Sequence, residues 1–195
     1  MKRLILASSS PRRKELLSMN LLSYEVIPST IQEVMDPSLS PEELVCSLAR
    51  QKAEDVFRLH KEHVVIGADT VVVNNGTVMG KPAGRKEAVA ALRSLSGRTH
   101  TVYTGVCILS EGKERLFSVS TDVTFWELSE AEVENYVNSG EPFDKAGSYG
   151  IQGLGARLVQ SIAGDFYSVV GLPVSRVVRE LESFGISAVS QEDDI

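Results

Sequence analysis

Long hydrophobic runs are absent from this 195-residue sequence, so it offers no candidate for a membrane-spanning helix. The apolar run near its start is short and interrupted by Ser8, so it does not predict a signal peptide. Cysteine is scarce: Cys46 and Cys107 lie far apart among apolar residues, which excludes a disulfide framework and indicates small core side chains. The three histidines lack the spacing of metal ligands. These absences predict a cytoplasmic protein that does not contact a membrane.

Basic residues are also fewer than acidic residues. The chain has 26 acidic and 20 basic residues, a formal net charge of −6 and a pI of about 5.2. Aromatic residues make up 6%, and they form no stripe with basic residues. Binding of nucleic acid through a broad basic surface is therefore not expected. A local basic pocket on an acidic protein suits a small anionic ligand better.

Strand-like and helix-like segments alternate along the chain without an internal repeat, linker or low-complexity segment. The sequence predicts one α/β domain, borderline with α+β, with a mixed sheet over residues 1–190 and an acidic, frayed tail at 191–195. The predicted helices are Pro11–Met19, Pro41–Leu59, Arg85–Leu95, a helix from Ser129 through Val137, and Pro173–Phe184. The predicted strands are Leu4–Ala7, Tyr24–Ile27, Val64–Ala68, Val71–Val73, Val102–Leu109, Leu116–Phe125 and Leu158–Ile162, with a hairpin turn at Asn75-Gly76.

The first strand is followed by an unusual helix start. Leu4–Ala7 gives way to Ser8–Ser10, the last of which is placed to cap a helix that begins at Pro11. Arg12 and Arg13 then fall in the first turn, where the helix dipole is already positive. Hydroxyls, free N–H groups and two guanidiniums together suit a phosphate chain. The alternative is a helix start whose arginines are simply solvated.

Asp69 is a carboxylate set between the apolar runs Val64–Ile66 and Val71–Val73. Such a group is costly unless it is paired, bound to metal or exposed at a strand end. Because sites in open sheets lie at the carboxyl ends of strands, Asp69 is a candidate general base or metal ligand. The alternative is a turn aspartate bonded to its own backbone.

Three other charged residues give weaker signals. Lys81, in the stiff segment Gly80–Pro82, could pair with phosphate, although most surface lysines do nothing specific. Taken alone, Glu33 reads as a solvated loop acid, and Lys52 as part of the polar face of its helix.

The stretch Phe143–Gly155 contains four glycines, which permit close backbone approach to a ligand. Its spacing is neither that of a P-loop nor that of the dinucleotide fingerprint. Tyr149 offers a stacking face, and the amide of Gln152 could read a base edge. The alternative is a long surface loop whose glycines serve turns.

Taken together, these segments resemble, in order and over nearly the whole chain, the motifs of the Maf family of nucleoside triphosphate pyrophosphatases, historically described as septum formation inhibitors. The matching segments are Leu6–Arg13, Ala49–Ala53, Gly67–Val72, Gly80–Pro82, Tyr103–Val106, Asp144–Gly153 and Val170–Pro173. The resemblance implies an elongated α/β fold with a bent, mixed sheet and a central cleft, similar to the inosine triphosphate pyrophosphatase fold.

The resemblance also implies an activity. Such enzymes split a nucleoside triphosphate between its α and β phosphates and need Mg²⁺ or Mn²⁺. Asp69 matches the proton acceptor, and Glu33 matches an acidic position that could share the metal with it, although Gln32 stands where the family often has aspartate. The positions that match phosphate-binding residues are Ser8, Arg12, Arg13, Lys52 and Lys81.

Substrate preference follows from three positions. Arg12, Thr70 and Gln152 resemble the dTTP/UTP branch of the family, whereas a branch acting on 7-methyl-GTP typically has an aromatic residue, glutamine and glutamate there. A neutral amide can both donate to and accept from a thymine or uracil edge. The resemblance therefore implies a homodimeric pyrophosphatase for dTTP and UTP, with modified pyrimidine triphosphates as further substrates.

Two other classes of function stay open at this point. The same pocket could serve a nucleotide-binding regulator of division or septation, which would need the cations but no base. A nucleic-acid-binding module is a third reading, which the net charge disfavours.

Overall fold

The computed structural model describes residues 2–20 and 22–188, so the predicted tail at 191–195 lies outside the described residues. The chain divides into two compact units. The first comprises the residues up to Asp69, Thr104–Val119 and the residues from Gly171, and the second comprises Thr70–Tyr103 and Ser120–Val170. Within residues 2–20 and 22–188, no helix combines the length and the apolar composition that crossing a bilayer demands.

Helices and strands alternate as the sequence predicts. The helices are α1 (Pro11–Met19), α2 (Pro41–Phe57), α3 (Arg85–Leu95), α4 (Glu130–Asn138), α5 (Phe166–Val170) and α6 (Val174–Glu182). The strands are β1 (Leu4–Leu6), β2 (Tyr24–Val26), β3 (Val64–Asn74), β4 (Thr77–Met79), β5 (Thr99–Ser110), β6 (Lys113–Phe125) and β7 (Val159–Ala163). The predicted α/β class is confirmed, and the short helix α5 is an element that the sequence did not reveal.

The seven strands form a mixed sheet, as predicted. Its order is β2-β1-β3-β5-β6-β7, and β4 pairs with β3. β1 lies parallel to both β2 and β3, with Leu6 opposite Val26 on one side and Ile66 on the other. β4 runs antiparallel to β3, and β7 antiparallel to β6. The parallel strands β1 and β2 therefore end level with Ile66 on β3.

Serine caps fix the starts of three helices. The hydroxyls of Ser10, Ser40 and Ser129 each accept a hydrogen bond from a backbone N–H in the first turn of α1, α2 and α4. In α2 and α4 a glutamate at the third position bonds back to the cap, which completes a capping box. These local signals explain why the predicted start of α1 is correct.

The largest local error concerns the strand around Asp69. Two strand pieces, Val64–Ala68 and Val71–Val73, were expected with Asp69 at a strand end, but β3 runs unbroken from Val64 to Asn74. It continues because Asn75 and Gly76, with φ of 49° and 75°, form a tight turn that folds β4 back onto its last residues. Asp69 nevertheless lies just beyond Ile66, the last residue of β3 that pairs with β1.

The core of the first unit forms where α2 packs on the sheet. A Cβ atom on Gly67 of β3 would lie 2.2 Å from the Ala49 carbonyl oxygen and 2.7 Å from the Ala53 nitrogen. On Gly105 of β5 it would lie 2.3 Å from the carbonyl oxygen of Val45. Only glycine allows this close approach of helix and sheet. The predicted core residue Cys107 is fully buried in this unit, whereas Cys46 is half-buried.

The second unit has a core of its own, in which an aromatic cluster surrounds a histidine. His100 is 2% exposed, and its Nε2 lies 2.7 Å from the hydroxyl of Tyr149. The imidazole packs edge-on against the rings of Tyr149 and Phe125. Burial lowers the pKa of His100 from 6.5 to about 4, against the opposing charge of Asp122. The folded protein therefore holds this imidazole neutral at pH 7.

Replacing Gly67 by alanine should force α2 away from β3. We expect Gly67→Ala to lower the free energy of unfolding by about 2 kcal/mol or more, because the clash is with backbone atoms that cannot move independently. Urea denaturation measures the change. Gly80→Ala is the matched control, since its Cβ would meet no atom within 4 Å, and it should stay within about 0.5 kcal/mol of wild type. Equal stability of both variants would contradict the close packing.

His100 should make stability depend on pH. Because its pKa is lowered on folding, the native state binds fewer protons than the unfolded chain, and stability is lost as the pH falls from 6.5 towards 4. We expect His100 to account for about 2 kcal/mol of the loss between pH 7 and pH 5. Urea denaturation of wild type and His100→Gln at both pH values measures it. Identical pH dependence of the two proteins would show that His100 is not buried in its neutral form.

Candidate active site

Three predicted site residues of the first unit lie beyond the point at which its parallel strand pairing ends. Ser8 comes two residues after β1, Glu33 lies in the loop after β2, and Asp69 lies on β3 three residues beyond its last pairing with β1. Because these strand ends are level with one another, the chain brings polar groups to one edge of the sheet. This is the edge at which ligands bind in open α/β sheets.

Arg13 is held by contacts on two sides. Its Nη1 donates to the Ser8 hydroxyl at 3.3 Å, and its Nε donates to the carbonyl oxygen of Gly171 at 2.8 Å. Burial lowers the pKa of Arg13 below its ordinary value, while the Asp69 carboxylate acts against this shift. A guanidinium stays charged in spite of such a shift. A fixed, partly desolvated positive charge therefore lies next to Ser8.

Lys52 joins the two predicted acidic residues. From α2, its Nζ reaches Asp69 Oδ1 at 2.5 Å and Glu33 Oε1 at 3.1 Å. The side chains of Lys52 and Asp69 are each 15% exposed, and that of Glu33 is 41% exposed. The alternative reading of Asp69 as a turn residue is wrong, because it lies within a strand and pairs with a lysine. Lys52 likewise points to a partner rather than to open solvent.

The same cluster is suited to a divalent cation. Asp69 and Glu33 direct oxygens at one positive charge, the Lys52 ammonium. Mg²⁺ keeps several waters and needs only one or two protein carboxylates, so the two oxygen donors fit such an ion. Within the described part of the chain, no group of three or more His, Cys, Asp or Glu side chains is arranged to hold a metal. A metal site here would therefore rest on this pair.

Arg12 lies in the first turn of α1, in the first unit, and the remaining predicted site residues belong to the second unit. Thr70 and Gln152 are half-buried, and Lys81 is exposed. Lys81 lines a cavity of about 190 Å³ together with Gly80, Pro82 and Ser148. Ser148 was not singled out from the sequence, where it is one polar residue in a glycine-rich stretch.

Glu141 organises the loop that carries Gln152. Its Oε1 accepts hydrogen bonds from the Tyr136 hydroxyl at 3.0 Å and the Gly155 N–H at 3.2 Å, and its Oε2 accepts from the Leu154 N–H at 3.0 Å. The stretch is thus a series of short 3₁₀ turns rather than an open loop. No sequence signal indicates this role for Glu141, because its partners lie up to 14 residues away.

Tyr149 does not present the stacking face that was expected. Its side chain is buried, its ring packs against Phe125 and His100, and its hydroxyl bonds to His100. Burial also raises its pKa above the ordinary value of 10. The ring is therefore a core group of the second unit.

Removing one carboxylate oxygen of Glu141 should loosen the loop around Gln152. In Glu141→Gln the amide nitrogen would face an N–H donor, so at least one bond to Leu154 or Gly155 is lost. We expect hydrogen exchange at these two amides to rise roughly tenfold, the equivalent of about 1.4 kcal/mol. Glu134→Gln, which removes a surface ion pair with Arg85, should leave them unchanged. Unaltered exchange in Glu141→Gln would refute the role assigned to this carboxylate.

Comparison with known proteins places the chain among relatives of nearly the same length. A dTTP/UTP pyrophosphatase of Bacillus pumilus (strain SAFR-032) is 54% identical over 187 residues, covering 96% of this chain and 99% of its own. A dTTP/UTP pyrophosphatase of Bacillus cereus (strain G9842) is 53% identical over 186 residues, covering 95% and 97%. A solved structure of the Staphylococcus aureus Ham1 protein aligns with a TM-score of 0.46 and 16% identity, over 64% of this chain and 72% of that one.

The family model described as Maf-like protein matches residues 3–184. With this match over most of its length, the chain belongs to the Maf-like protein family.

Proposed function

We propose that this protein is a nucleoside triphosphate pyrophosphatase that hydrolyses dTTP and UTP, and also modified pyrimidine triphosphates, to the nucleoside monophosphate and pyrophosphate. The observation that carries the proposal is the cluster in which Lys52 bridges Glu33 and Asp69. Relatives more than half identical over nearly the whole chain bear the name dTTP/UTP pyrophosphatase, which supports the choice of substrate.

Asp69 is the proposed proton acceptor. The reaction consumes one water, breaks the anhydride bond between the α and β phosphates and releases a proton. Lys52 donates to Oδ1 of Asp69, so we assign Oδ2 to the water. By holding the carboxylate in place, the lysine reduces the cost of orienting the base.

The phosphate chain is the proposed ligand of the nearby cations. Arg12 and Arg13 lie in the first turn of α1, and the N–H groups there favour an anion as well. The hydrogen bonds from Arg13 to Ser8 and Gly171 hold its guanidinium before substrate arrives. Such preorganised charge stabilises the negative charge that develops on leaving pyrophosphate. The resemblance assigns Lys52 and Lys81 to the phosphates too.

Glu33 and Asp69 are the residues that would hold Mg²⁺ or Mn²⁺. When bound, the metal would offset phosphate charge and make water a stronger acid. Lys52 already compensates the two carboxylates, and this keeps them close together without leaving like charges unpaired.

Gln152, Thr70 and Arg12 are proposed to select the base. The Gln152 amide can donate to a keto oxygen and accept from the ring N–H of thymine or uracil. A base with another pattern would leave buried polar groups unpaired, which gives strong discrimination. The homodimer follows from the family resemblance alone, and both it and the cytoplasmic location stay predictions.

Loss of the base should abolish turnover. Asp69→Asn keeps the size of the side chain but cannot take up a proton, so we expect kcat for dTTP and UTP to fall at least roughly 100-fold. Release of pyrophosphate and monophosphate with Mg²⁺ or Mn²⁺ measures the activity across a panel of triphosphates. Asp122→Asn, which alters a carboxylate bonded to Thr101 in the second unit, is the matched control and should retain wild-type turnover.

The same assay separates the alternatives. Pyrophosphate release from 7-methyl-GTP instead of dTTP and UTP would overturn the role given to Gln152. Nucleotide binding by wild type without any release would favour a regulatory nucleotide-binding protein. Full activity of Asp69→Asn would show that another group accepts the proton.

A further inference from the structure

Ser148 has two energetically unfavourable features, one in its side chain and one in its backbone. Its side chain is 1% exposed, and its Oγ is without a hydrogen-bond partner among residues 2–20 and 22–188. Its φ is 62°, in the left-handed region that residues other than glycine seldom adopt. A buried hydroxyl without a partner and a strained backbone are each unfavourable, and such strain is concentrated at ligand-binding sites.

Ser148 also belongs to the wall of a cavity. Ser148 lines the cavity of about 190 Å³ that Lys81 and Gly80 also line. An ammonium group and a hydroxyl can both donate to the same anionic oxygen. Glu87, the acidic residue of the lining, accepts a hydrogen bond from the Ala83 N–H at 2.8 Å, so its carboxylate is engaged in closing the loop after Lys81.

The backbone fixes Ser148 in relation to the Lys81 loop. The Gly147 N–H donates to the Gly80 carbonyl oxygen at 3.1 Å, and the Ser148 N–H donates to the Lys145 carbonyl oxygen at 3.1 Å. Gly147 has a φ of 66°, and a Cβ on it would lie 2.9 Å from Val72. The turn is therefore held tightly against β3, and the hydroxyl is positioned before any ligand binds.

We propose that Ser148 is a further substrate-binding residue, whose hydroxyl donates a hydrogen bond to a phosphate oxygen of the substrate that Lys81 also contacts. The proposal rests on the proposed function for the identity of the substrate. The same chemistry, in which a hydroxyl and an ammonium group both contact a phosphate oxygen, also applies to pyrophosphate by itself. The bound phosphate would satisfy the unpartnered hydroxyl, and this explains why a serine stands at a position that glycine would occupy with less strain.

Two variants separate binding from folding. Ser148→Ala and Ser148→Gly both remove the hydroxyl, but alanine keeps the strain at positive φ and glycine relieves it. We expect both to weaken the affinity for magnesium pyrophosphate, measured by calorimetry, at least tenfold, since a hydrogen bond to a charged group is lost. The melting temperature of Ser148→Gly should equal or exceed that of wild type. Ser161→Ala, an exposed serine of β7, is the control and should bind as wild type does.

Each outcome of these measurements either supports or contradicts the proposal. Weakened pyrophosphate binding by both variants supports the proposal, and the KM for dTTP should then rise in parallel. Wild-type affinity in either variant overturns it. Variants that differ from each other only in melting temperature would show a purely structural role. If wild type binds pyrophosphate through Ser148 but releases none from dTTP or UTP, the proposed function fails while the site stands.

Discussion

The contact between α2 and the sheet is the constraint on which the first unit depends. At Gly67 and Gly105 the helix backbone lies where side chains of any other residue would stand. Lys52 is on the same helix, one residue before Ala53. The two atoms nearest to a Cβ built on Gly67 are the Ala49 carbonyl oxygen and the Ala53 nitrogen. The close approach therefore sets how far the lysine stands from Asp69 on β3. A packing requirement in the core is in this way also a requirement of the site chemistry.

Charge balance explains why so many ionisable groups can lie together at this sheet edge. Lys52 compensates Glu33 and Asp69, and Arg13, which burial alone would disfavour as a cation, lies in the field of Asp69. Each charge is costly to bury on its own, but opposite charges and hydrogen bonds offset the loss of hydration. The result is a set of charged side chains that hold one another in place without a ligand.

In the second unit, hydrogen bonds to the backbone order the glycine-rich stretch. Its glycine-rich stretch gains order from the Glu141 carboxylate and from the tie between Gly147 and Gly80, not from apolar burial alone. Such a stretch cannot be read from hydrophobic periodicity, since its structure rests on particular donors and acceptors. For this reason the sequence predicts no role for Glu141 or Ser148, and it predicts a stacking face at Tyr149, which the structure buries in the core.

The sequence by itself determined the α/β class, the start of α1 at its serine cap, the hairpin at Asn75-Gly76 and the family. These signals are local or are ordered motifs, so they need no knowledge of what the chain contacts. Only the tertiary structure decided the unbroken course of β3, the pairing of Lys52 with Asp69 and the buried hydroxyl of Ser148. The physical reason is that such features depend on residues far apart in the sequence. Lys52 and Asp69, for example, are 17 residues apart and become neighbours only when α2 packs on the sheet. The periodicity of a single segment does not encode such a contact.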